Sequence, residues 1–75
     1  MTPEQKERLR ALEGLAEAAY SAMYETSSTA GLFSETKDCF AAAIAYAQSV
    51  GAADEVQRLE RRLEHVKTVF RKQFA

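Results

Sequence analysis

A chain of 75 residues with one cysteine and one histidine cannot form an internal disulfide and falls short of the three or four Cys/His ligands of a usual zinc site. With 47% apolar and 28% charged residues and a net charge of -1, it lacks both the composition of a disordered segment and the global field that draws a protein to nucleic acid or acidic lipid. A single helical domain over 1–75 is expected, and so short a chain buries only about 60% of its unfolded surface, so helix packing or self-association must supply much of its stability.

The opening "MTPEQKERLR" is too polar for a signal peptide, and no apolar run approaches the roughly 18 residues that span a bilayer. A cytoplasmic location is the expectation, in keeping with a single free thiol. The same opening reads as a helix start. Thr2 is the candidate N-cap, Pro3 takes the first helical position, and Gln5 completes a T-x-x-Q capping box. Leu9, Leu12, Ala16, Ala19 and Met23 then recur at helical spacing on one face, with Leu15 and Tyr20 flanking them on opposite sides and Tyr24 near the solvent boundary. Gly14 falls on the polar face. The pattern fades through "ETSSTAG", where Gly31 is expected to take the left-handed stop position.

A central helix is expected from about Leu32 to Val50. Phe33, Thr36, Phe40, Ala43, Ile44 and Ala47 form one stripe, and Cys39, Ala43, Tyr46 and Val50 an adjoining one. Together they span about 160° of the helix, the arc needed to pack against two neighbours at once. Gly51 is expected to end this helix. Asp54, with Gln57 three residues on, is the expected N-cap of the third. Val56, Leu59, Leu63, Val66 and Phe70 make a narrow seam like a short heptad repeat. Acidic residues lie toward the start of that helix and basic ones toward its end, which complements the helix dipole. No strand-like alternation occurs, so the fold class is all-α, a small three-helix bundle running up-down-up.

From Glu17 to Gly51, Tyr20, Met23, Gly31, Phe33, Phe40 and Ala43 resemble in spacing the signature positions of a tetratricopeptide repeat, a helix-turn-helix unit of about 34 residues. The resemblance implies an antiparallel helical hairpin, and in that family a concave groove for peptide segments of partner proteins. Three positions depart from the pattern. Tyr24 stands where the family prefers a small residue, Thr36 where it has alanine, and Gly51 near where a proline commonly closes the repeat. One repeat fits, over less than half of the chain.

The sequence does not favour catalysis. Cys39 sits on an apolar stripe, and His65 points away from the seam of its own helix. The carboxylate pairs Glu13 with Glu17 and Glu60 with Glu64 read as solvated helix surface. No glycine-rich phosphate loop is present, and no cofactor, metal ion or small-molecule substrate is expected. The leading expectation is a non-enzymatic interaction or self-assembly module whose partner is another protein or a second copy, as a homodimer. Its candidate contact residues are Tyr24, Val69, Phe70 and Phe74, with Arg71 and Lys72 at the rim, since aromatics and arginines anchor such surfaces. The alternative is a weak nucleic-acid-binding accessory protein using Arg58, Arg61, Arg62, Lys67, Arg71 and Lys72. Residues 52–75 carry six basic against four acidic side chains. Pairing of Arg61 with Glu64 and of Glu64 with Lys67 is expected to neutralise part of that charge, so nucleic acid is the less favoured partner.

Overall fold

The computed structural model describes residues 1–25 and 29–73, with side chains described for all of these except Tyr24, Thr29, Ala30 and Gln73. Three helices follow in order, α1 (Pro3–Glu25), α2 (Thr29–Ser49) and α3 (Ala53–Gln73), as the all-α reading expects. The longest dimension, 39 Å, is that of a single helix of α1's length plus its ends. None of the three is long and apolar enough to cross a membrane.

Local chemistry sets the ends. The Thr2 hydroxyl accepts from the Gln5 amide at 3.1 Å while the Gln5 side chain accepts from the Thr2 amide at 3.0 Å. That is the reciprocal box the sequence announces, and it satisfies two otherwise unpaired donors. At the end of α2, Gly51 has a φ of 70°. Its N–H donates to the Gln48 carbonyl at 3.1 Å, and the Ala52 N–H reaches back to Ala47 at 2.9 Å. These two bonds make a Schellman stop.

Two expected boundaries are corrected. Gly31 does not end a helix; it lies in the first turn of α2 and has no positive φ. α1 is described to Glu25 and α2 from Thr29, and residues 26–28 between them lie outside the described residues. Asp54 is not the N-cap of α3. The Val56 N–H already donates to the Ala52 carbonyl at 3.0 Å, so the Schellman stop runs straight into the next helix. Asp54 and Glu55 fall within the first turn of α3, where they still oppose the positive end of the dipole.

The core is the set of faces read from the sequence. Leu9, Ala16, Ala19 and Met23 of α1, Phe40, Ala43 and Ala47 of α2, and Leu59 and Val66 of α3 are buried. Leu12, Ile44, Tyr46, Val56 and Leu63 pack partly buried around them. α2 packs on both neighbours, more extensively on α1 than on α3, as its wide apolar arc requires. Thr36 is the one buried polar side chain among the described residues. Its hydroxyl donates to the Leu32 carbonyl one turn back at 2.7 Å, which removes the cost of burying it.

Candidate interaction surface

The up-down-up order brings the end of α1, the start of α2 and the end of α3 to one pole of the bundle. Phe33, in the second turn of α2, meets Phe70, near the end of α3, with ring centroids 3.8 Å apart and planes 2° from parallel. Both rings are half-buried. So close a parallel stack is less favourable electrostatically than an offset one. Lys37, one turn along α2, places its Nζ 4.8 Å from the Phe33 centroid, where the cation is attracted to the ring's π density. Phe33, Lys37, Lys67, Phe70 and Arg71 line a groove of about 250 Å³. A volume of that size takes one or two side chains and falls below the range of pockets that engulf a small-molecule ligand.

Of the contact residues expected from the sequence, the groove gathers Phe70 and Arg71. Val69 is half-buried and Lys72 exposed on the same helical turns. Phe74 and the side chain of Tyr24 lie outside the described residues, although the backbone of Tyr24 belongs to the last turn of α1. Phe33 and Lys37 were not among the expected contacts. A signal for them exists in the sequence: in an antiparallel pair, an aromatic opening one stripe faces an aromatic closing the other.

A second cluster ties α1 to α3. Arg58 donates through Nη1 and Nη2 to the two carboxylate oxygens of Glu13, at 2.7 and 2.9 Å, and also to Glu55 on its own helix at 2.6 and 3.0 Å. One turn on, Arg62 makes the same two-bond contact with Glu17 at 2.8 Å through Nε and 2.8 Å through Nη2. Its guanidinium also lies 5.1 Å from the Tyr20 ring centroid. The expectation that Glu13 and Glu17 are merely solvated is thereby corrected: both are part-buried and paired.

The hydrogen bond from Arg58 holds the Glu13 carboxyl below its usual 4.5, against the opposing effect of burial, and the charges of Arg58 and Arg62 add to it. The guanidinium of Arg58 is shifted upward chiefly by its hydrogen bond to Glu13, and that of Arg62 by its bond to Glu17. The expected pairing around Glu64 also differs. Its contact is with Arg71, at 3.8 Å between two exposed side chains.

Three of the six cations proposed for nucleic-acid contact are thus engaged within the chain, Arg58 and Arg62 through two-bond contacts to α1 and Arg71 through a longer, exposed contact with Glu64. Cys39 is half-buried against the core, and His65 is exposed on α3 away from the seam. Among the described residues no three His, Cys, Asp or Glu side chains are grouped to hold a metal ion. No family model, curated protein or solved structure matches the chain. The tetratricopeptide-like spacing therefore rests on Glu17 to Gly51 alone, where Met23, Phe40 and Ala43 are core residues of the α1–α2 hairpin.

Proposed function

We propose that this chain is a non-enzymatic helical interaction module that receives an acidic, apolar-anchored segment of a partner protein at the pole formed by α2 and α3. The observation that carries this reading is the groove between the stacked Phe33 and Phe70 rings and the cations Lys37, Lys67 and Arg71. It offers an apolar floor for one anchoring side chain and a cationic rim for carboxylates on either side. Such an arrangement gives the floor the larger share of affinity, while the rim sets on-rate and charge preference. The nucleic-acid alternative has less support, because Arg58 and Arg62 are held by Glu13 and Glu17 and the exposed face of α3 interleaves Glu60 and Glu64 with the remaining cations.

A peptide-display selection against the immobilised protein tests the reading. Enriched sequences should combine Asp or Glu with a Leu, Ile or Phe anchor. The labelled winners should lose about tenfold in affinity on Lys67→Glu or Arg71→Glu, as expected when a rim attraction becomes a repulsion. Enrichment of basic sequences, of none, or of peptides indifferent to both substitutions would refute it. Duplex DNA binding that falls steeply with salt would favour the alternative.

A further inference from the structure

α1 carries two seams. The first, Leu9, Leu12, Ala16, Ala19 and Met23, is turned into the bundle. The second begins one residue earlier: Arg8, Ala11, Leu15, Ala18, Ala22 and Glu25 recur at spacings of three, four, three, four and three. That is the a/d period of a coiled coil. The six positions fall within an arc of about 100°, centred about 110° away from the first seam. Leu15 is 62% exposed, Ala22 is half-buried, and the other four are exposed. The side of α1 that bears Glu13 and Glu17 is held by α3, so the second seam lies on the opposite flank. There α2 presents Cys39, Ala42 and Tyr46, by the same helical geometry.

We infer that this flank is a self-association surface, and that its occupant is α1 of a second copy in antiparallel orientation. The pattern reads the same in both directions about a point between Ala16 and Glu17. A two-fold axis there sets Leu15 against the partner's Ala18, Ala11 against the partner's Ala22, and Arg8 against the partner's Glu25. An isologous contact requires such self-complementarity. The large side chain meets a small one, so the helices approach closely, and each end is closed by opposite charges. A parallel arrangement would instead stack Arg8 on Arg8 and Glu25 on Glu25, so the charges select the antiparallel one. Neither Arg8 nor Glu25 makes an ion pair among the described residues.

The seam is about 25 Å long. At about 10 Å wide it covers roughly 500 Å² in total, less than a stable dimer buries. The dimer is therefore weak and reversible, formed in the high-micromolar range. It does not use the Phe33–Phe70 groove and is independent of the function proposed for it.

Sedimentation equilibrium of the whole chain from about 10 μM to about 1 mM tests the inference. The wild type should pass from monomer to dimer, and Leu15→Glu or Ala18→Glu should remain monomeric with unchanged helical circular dichroism. Arg8→Glu and Glu25→Arg should each weaken association about tenfold, since two symmetric pairs become repulsive. The combined Arg8→Glu/Glu25→Arg variant should recover wild-type behaviour. Lys67→Glu, in the groove, should leave the equilibrium unmoved, so the two proposals fail separately. A wild type monomeric throughout, a dimer that survives Leu15→Glu, or a double exchange no better than the single ones would overturn it.

Discussion

Replacing Glu13 by glutamine removes the charge from one half of the α1–α3 clamp while keeping the side chain's size. Glu13 receives two hydrogen bonds from Arg58, at 2.7 and 2.9 Å. Its side chain is 22% exposed and that of Arg58 50%. Exposed ion pairs contribute about 0.2–1 kcal/mol; the two-bond geometry places this one toward the top of that range, and the solvent around Arg58 keeps it from exceeding it. Arg58 retains Glu55, so the substitution strands no charge. The expected loss at neutral pH is about 0.5–1 kcal/mol, or a fall in Tm of about 2–8 °C for a chain of this size. The sign of the pH dependence follows from the direction of the shift. The folded-state pKa of Glu13 lies below its ordinary 4.5. The stabilisation is then fully present above the unfolded value and is lost as the pH falls through the folded one. Urea unfolding followed by far-UV circular dichroism, from neutral pH down to about 3, should show a gap between wild type and variant that holds near neutrality and closes in acid. A gap under about 0.2 kcal/mol at neutral pH, or one that persists undiminished in acid, would refute the claim that this pair holds α1 to α3.

The glycines give a matched pair of tests in the same assay. Gly14 is an exposed mid-helix residue whose added Cβ would meet nothing within 4 Å, so Gly14→Ala should stabilise by about 0.5–1 kcal/mol. Gly51→Ala meets no obstacle either, but it must hold a φ of 70°, and should destabilise by about 1 kcal/mol. Equal signs for the two would contradict the backbone argument. Phe40 is fully buried at the centre of the molecule. Phe40→Ala should cost about 3–5 kcal/mol, against a total of about 4–11 kcal/mol for a chain this long. Its thermal transition should therefore be lost or shifted below about 40 °C, and a variant melting within a few degrees of wild type would show that Phe40 is not at the core.

What the sequence made legible was encoded within a few residues. The Thr2–Gln5 box needs only four positions, and the Gly51 stop only the turn before it. The buried faces follow from spacing within single helices. Gly31 was misread because a glycine after a weakening helix fits two roles, the stop of one helix or the first turn of the next. The choice between them depends on where the chain breaks, which "TSST" does not specify. Asp54 was misread for a related reason: the stop at Gly51 delivers Ala52 directly into a helical turn and leaves no room for a separate cap.

The long-range contacts were beyond that reading, because they depend on register. Glu13 with Glu17 and Arg58 with Arg62 each lie four apart, and the offset from α1 to α3 is the same 45 residues for both pairs. In an up-down-up bundle the first and third helices run parallel, so a constant offset is the form such a clamp must take. The equal spacing was visible in the sequence, but the offset is set by the length of α2 and of the segments that join it to α1 and α3. The Phe33–Phe70 stack obeys the opposite rule, since α2 and α3 are antiparallel and it pairs the start of one with the end of the other. Together the two contacts divide the faces of the bundle. The clamp commits Arg58 and Arg62 to α1, and the stack leaves Lys37, Lys67 and Arg71 gathered at one pole. The flank of α1 that bears the exposed Leu15 takes part in neither arrangement. The positive pole and the Leu15 flank therefore occupy different sides of the molecule, so the proposed docking of an acidic segment and the proposed self-association do not compete for one surface.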